Sequence, residues 1–267
     1  MLTFAGTYLC MQSPFGSSKL VPATPIDPIR SEIPRLRDAE IAAIFYGQRM
    51  GGDFYEFLRV NPSRVLFGLL DVAGRREQNR EILSAAQQTF RVLGPKLFAS
   101  EDINEAEAMI ELCHELNRSV LQAAGAVRSC PAFSGCYNES VGTICYTNAG
   151  HTPALLRDLS GVVMLTATGL PLGLFSHTTC DAPTVALSTG AALLLVSRGV
   201  VESRRNGEDF GLERLKKHLQ HTTASSAKEL GLSVLDSVQQ FMCTPPTHDD
   251  VTALTLVRAV SAKVASA

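Results

Sequence analysis

The stretch "GGDFYEFLRVNPSRVLFGLLDVAG", residues 51–74, alternates apolar and polar positions, breaks at Asn61-Pro62-Ser63, and resumes as an apolar run that ends on Asp71. Period-two patterning marks strands, and Asn-Pro-Ser is turn chemistry, so the stretch reads as a hairpin of two antiparallel strands. Upstream, "IAAIFYG" from Ile41 reads as a third strand. Downstream the period changes to that of a helix. Ile82, Ala85, Ala86, Phe90 and Leu93 share one face, and Ala106, Met109, Ile110, Cys113, Leu116, Val120 and Leu121 share another.

Strands then return in "AFSGCYN", "VGTICYTN", "PALLRD", "GVVMLT", "TVALS" and "AALLLVS", separated by Gly, Asn, Asp and Ser. Helices are expected at about 211–220 and 226–241, the second opened by Ser226 with Glu229 three residues on, as in a capping box. "DVTALTLVRA" closes the pattern as a strand. This order lacks the regular alternation of a doubly wound parallel sheet. It predicts an α+β fold, a four-layer αββα sandwich in which two antiparallel β-sheets are flanked by helices.

Composition bounds the function. The 267 residues, 45% of them apolar, suffice for one large core. A net charge of −2 without a Lys/Arg block leaves no footprint for nucleic acid or an anionic membrane, so neither is expected as a partner. Seven cysteines without CxxC spacing signal neither a disulfide framework nor a zinc ribbon. The apolar start "MLTFAGTYLCMQ" lacks a basic n-region and is too short to span a bilayer, so the expectation is a cytoplasmic protein. Residues 13–36 hold 5 of the 13 prolines and read as extended. The expected organisation is a Pro-rich lead-in over 1–36, a single domain over 37–260 and a tail over 261–267.

Acids stand where strands end: Asp53 and Glu56 in "GGDFYEF", Asp71 in "GLLDVAG", and Asp249 and Asp250 in "THDDVTAL". A carboxylate beside an apolar strand loses hydration unless it gains hydrogen bonds or a cation. Several at one edge of a sandwich favour a hard divalent ion with oxygen ligands, whereas each alone is an ordinary turn residue. "GGDF" is not a cyclic-dinucleotide synthase signature, because Phe54-Tyr55 replaces the acidic-aromatic pair that would complete it.

The ordered series "GGDFYEF", "DVAG", "YTNAGHTPALL", "GLPLGL", "SRGVVESRRNGEDFG" and "DDVTALTLVR", spanning about residues 37–259, resembles the metal-dependent serine/threonine phosphatases of the type-2C (PPM) class, in their SpoIIE-like bacterial branch. The resemblance implies the αββα sandwich and two Mn²⁺ or Mg²⁺ ions that activate water against phosphoserine or phosphothreonine, without a covalent intermediate. It implies Asp71 bridging the ions, Asp53 and the Val72 carbonyl on one, and Asp249 on the other. Gly51, Gly52 and Gly74 would allow close backbone approach, and Glu56 and Asp250 would stand behind the ligands. It further implies a phosphorylated protein substrate, of the kind of an anti-sigma-factor antagonist, and a separate regulatory partner.

One position departs from this pattern. Where the family has Ser-Asp-Gly, with the aspartate a ligand of the second ion, this chain has Ser197-Arg198-Gly199. A carboxylate exchanged for a guanidinium that does not deprotonate compromises that ion. Three outcomes are open: Arg198 pairs with Asp71 or Asp249 in place of an ion, points to solvent, or binds the substrate phosphate. The first would give a weakened enzyme, or a pseudophosphatase that binds a phosphoprotein or regulator. Arg75 and Arg76 are candidate phosphopeptide contacts against the plainer reading of solvated loop arginines. His151 reads as a turn residue. His248 is an outsider for general acid, on proximity to Asp249 alone.

Overall fold

The computed structural model describes residues 31–46, 52–242 and 250–259. Two five-stranded antiparallel sheets form the middle of the molecule. The first takes the order β1 (Ala39–Tyr46), β12 (Val251–Arg258), β9 (Ala192–Val196), β6 (Ala154–Asp158), β7 (Gly161–Leu165). The second takes the order β2 (Gly52–Arg59), β3 (Arg64–Val72), β4 (Ala132–Asn138), β5 (Thr143–Ala149), β8 (Thr184–Ala186). Helices α1 (Arg76–Phe98) and α2 (Glu105–Ala124) cover the second sheet, and α4 (Gly211–His221) and α5 (Ala227–Met242) cover the first. The four-layer αββα sandwich expected from the sequence is present.

Three apolar layers follow from strand alternation. Phe57, Phe67, Leu69, Phe133, Tyr146, Leu193, Leu195, Leu254 and Leu256 fill the space between the sheets. Leu66, Leu70 and Val72, one position out of phase, meet α1 and α2 instead. Ala192, Leu194, Val196, Ala253 and Val257 meet α4 and α5. All five described cysteines, Cys113, Cys130, Cys136, Cys145 and Cys180, are buried and free, and all sit in the layer under α1 and α2. Cys10 and Cys243 lie outside the described residues.

The helix ends show local chemistry at work. The Asn104 side chain accepts from Ala106 N and Glu107 N at the start of α2, and Gly125, at φ 63°, ends it in the left-handed region. At α5, Glu229 N donates to Ser226 Oγ at 3.1 Å, as a cap requires, and the Glu229 carboxylate accepts from Ser225 N and Oγ. Two short features lay below the reach of the periodicity: a single turn, α3 (Arg198–Val201), and a hairpin of β10 (Arg204–Arg205) with β11 (Glu208–Asp209).

Of the Pro-rich lead-in, residues 31–36 are described, and Ser31 is tied to the domain by donating its hydroxyl to Tyr55 O and the Glu56 carboxylate. Among the described residues, no helix is long and apolar enough to cross a membrane.

Candidate active site

Strand register brings the acids together. β2 and β3 pair so that Asp53 stands directly opposite Asp71. Residues opposite each other on an antiparallel pair share a face, and Phe57, Phe67 and Leu69 in the same phase point into the inter-sheet layer. Asp53 and Asp71 therefore close one end of that layer. The facing sheet contributes from the other side. Thr252 of β12 donates its hydroxyl to Asp53 Oδ2 at 2.7 Å, and fully buried Ser197, just after β9, binds both Asp250 O and Thr252 N.

Like charges opposite one another are unfavourable unless a cation or proton intervenes. Loss of hydration first, and then the Asp71 charge, push the Asp53 carboxyl well above the usual carboxylate range; the Thr252 and Ser197 hydroxyls pull it back, and Asp250 adds a further push upward. Asp250 thus lies near enough to act on Asp53 from the start of β12, and it is buried.

Without an ion, the folded protein therefore keeps the Asp53 proton to higher pH than the unfolded chain, which gives it up near pH 4. Stability should fall as pH rises from that value through the raised folded pKa, and level off above it. Asp53→Asn removes the repulsion. In EDTA, its melting temperature should exceed that of the unaltered protein at pH 7, and the gap should vanish at pH 3.5. A gap that is absent at pH 7, or constant across that range, would contradict this account.

Asp71 is buried, and its Oδ2 accepts the backbone N–H of Arg198 at 2.7 Å. The Arg198 side chain turns the same way: Nη2 lies 3.9 Å from Asp71 Oδ1, and Nε lies 3.6 Å from Glu202 Oε2. The guanidinium thus stands between two carboxylates rather than free in solvent. At these distances it is an ion pair without a close hydrogen bond.

Gly52 is needed where it is, since a Cβ there would lie 1.9 Å from Val72 O. The same carbonyl accepts from Asn79 Nδ2 at 3.3 Å, as Ala73 O does at 3.2 Å. Gly74 turns the chain at φ 103°, in the left-handed region. Asn79 is fully buried, and among the described residues its Oδ1 has no hydrogen-bond partner. Sequence reading gave no role to Asn79, which lies outside the quoted motifs, nor to Ser197 and Thr252, which lie inside them; their contacts to Asp53 follow from how the two sheets face each other.

Glu56 is placed differently from expectation. It is three positions from Asp53, so alternation turns it to the opposite face of β2. There Gln87 Nε2 and Arg91 Nε of α1 donate to it at 2.7 and 2.9 Å. It anchors the helix layer rather than standing behind Asp53. Arg75 is exposed just before α1, while the Arg76 side chain, Gly51, His248 and Asp249 lie outside the described residues.

His151 is buried, with its N–H donated to Asn148 Oδ1 at 2.8 Å and Nδ1 3.0 Å from Thr152 O, as a turn residue would be. Burial lowers its pKa, and the Asp71 charge works against that.

Among the described residues, no three His, Cys, Asp or Glu side chains are grouped to hold an ion. The donor set nonetheless fits one hard divalent cation. Two opposed carboxylates, one of them strongly raised, offer only oxygen ligands and need positive charge. Arg198 at Asp71 opposes a second cation.

Comparison with known proteins agrees with this architecture. A family model described as stage II sporulation protein E (SpoIIE) matches residues 61–259. The chain is 27% identical over 239 residues to phosphoserine phosphatase RsbU of Bacillus subtilis (strain 168), a match covering 86% of this chain and 66% of that protein. It is 26% identical over 170 residues to phosphoserine phosphatase RsbP of the same organism, covering 63% of this chain and 40% of that protein. The chain thus spans less than two thirds of either relative. Among solved structures, the RsbU and RsbW domains of a Mycobacterium tuberculosis protein superpose with a TM-score of 0.68 at 21% identity, covering 84% of this chain and 60% of that one. That likeness is one of fold.

Proposed function

The chain belongs to the SpoIIE family, and from that premise we propose that it is a metal-dependent phosphoserine/phosphothreonine phosphatase of bacterial signalling, weakened by Arg198. The observation that carries the reading is the opposed pair Asp53 and Asp71 at the end of the inter-sheet layer. We extend the proposal to its substrate, a phosphorylated regulatory protein of the kind of an anti-sigma-factor antagonist, to a separate regulatory partner, and to a cytoplasmic setting. The relatives RsbU and RsbP, each named a phosphoserine phosphatase, support the phosphatase reading.

Asp53, Asp71 and the Val72 carbonyl would hold one Mn²⁺ or Mg²⁺ ion, with Asp249 as the expected ligand of a second. A divalent ion there supplies a water nucleophile at neutral pH and offsets charge on the phosphoryl oxygens. The chain does the rest by fixing its acids. Thr252 holds Asp53 Oδ2, the Arg198 N–H holds Asp71 Oδ2, and Asn79 holds the Val72 and Ala73 carbonyls. Such prior ordering keeps the carboxylates from reorienting during reaction.

A second reading is a catalytically silent module that binds a phosphoprotein or regulator, and the observation favouring it is the Arg198 guanidinium at Asp71. Release of phosphate from a phosphoserine peptide separates the two. The enzyme reading expects release in millimolar Mn²⁺ and none in EDTA. Absence of release at every Mn²⁺ and Mg²⁺ concentration overturns it in favour of the module.

A further inference from the structure

Arg128 lies between α2 and β4, far in sequence from the acids, yet its Nη2 donates to Ala73 O at 3.2 Å. A Cβ built on Gly74 would meet the same nitrogen at 3.3 Å. The guanidinium thus covers the turn that follows Asp71. Its backbone is firmly mounted. Arg128 N donates to Gly173 O at 3.1 Å, and Cys130 and Leu172 exchange N–H···O bonds of 2.9 and 3.1 Å. Buried Asn117 of α2 completes the mount, accepting from Gly173 N at 2.8 Å and donating to Phe175 O at 2.9 Å.

Among the described residues its charge is unanswered. Arg59, Arg64, Arg91 and Arg258 each meet a glutamate or aspartate within 2.9 Å. Among the described residues, no carboxylate forms an ion pair with Arg128. A half-buried guanidinium spends one donor on a carbonyl and keeps the others of its fork. A phosphate monoester brings negative charge to a site edged by Asp53 and Asp71, and a fixed cation on the approach favours its entry beside whatever an ion held there offsets. Arginine matches phosphate oxygens in planar, forked geometry.

Resting on the phosphatase reading above, the geometry points to Arg128 as the residue that positions the substrate's phosphoryl group over the Asp71–Gly74 turn. The exposed apolar side chains on the segments that mount it, Val127, Leu170 and Phe175, supply apolar contact for residues flanking the phosphoserine. The plainer role, a cap on Ala73 O, needs the hydrogen bond and not the charge.

The test is the melting temperature of the full chain at fixed Mg²⁺, titrated with orthophosphate against chloride of matched ionic strength. The unaltered protein should be stabilised by phosphate. Arg128→Gln should need at least about tenfold more phosphate for the same rise, and Arg128→Lys less than that, with phosphate-free melting unchanged in both. Equal phosphate dependence in Arg128→Gln and the unaltered protein overturns the proposal, as does the absence of any phosphate response. An intact Arg128-dependent response in a protein that hydrolyses no phosphoserine peptide overturns the enzyme reading and leaves Arg128 as a phosphate-binding residue.

Discussion

Arg198→Asp raises the affinity for Mn²⁺ at least about a hundredfold and increases phosphate release in step. The substitution changes charge by two units beside Asp71, where the guanidinium now lies 3.9 Å from a carboxylate oxygen. One unit charge at about 4 Å is worth about 4 kcal/mol at an effective dielectric of 20, and partial exposure of the side chain discounts that figure. About 2.7 kcal/mol, a hundredfold, is what survives a conservative discount. The backbone bond from residue 198 to Asp71 Oδ2 does not depend on the side chain, so the acid keeps its orientation. Metal titration by calorimetry and phosphate release on the same preparations provide the readout. Unchanged affinity would mean that Arg198 does not stand in for an ion, and a loss of activity with unchanged affinity would make it a substrate contact.

Asp71→Asn has the opposite result, a loss of phosphate release by about 10²–10³-fold. The amide keeps the shape and can still accept from the Arg198 N–H, but it removes the charge that an ion would meet and that Arg198 now faces. Because it also relieves the repulsion on Asp53, the variant should melt no lower than the unaltered protein in EDTA. Loss of activity together with a lower melting temperature would trace the effect to unfolding. Retained activity would remove Asp71 from the chemistry altogether.

Much of this architecture was legible because periodicity is a direct consequence of burial. The apolar run after the break is β3, which reaches one residue past Asp71 to Val72, and the Asn61-Pro62-Ser63 break is the turn between β2 and β3. Chain order also placed Asp53 and Asp71 at strand ends. The facing of Glu56 was legible but went unread: three positions from Asp53 is an odd step on a strand, which reverses the face. The β10–β11 hairpin also carried its own signal, Asn206-Gly207, whose φ angles of 53° and 83° suit a tight two-residue turn. What no pattern could supply is a contact across the two sheets. Thr252 meets Asp53 over 199 positions, and the Arg198 N–H meets Asp71 over 127. Such pairs depend on how the sheets dock, which local propensity does not encode.

That docking has a consequence of its own. Each sheet keeps its helices through a separate apolar layer, while the acids are held by bonds that bridge the gap between the sheets. The site is therefore a vernier on the alignment of two sheets that also share the apolar layer between them. A slide shorter than a hydrogen bond would disengage Thr252 from Asp53 and residue 198 from Asp71 without exposing either helix layer.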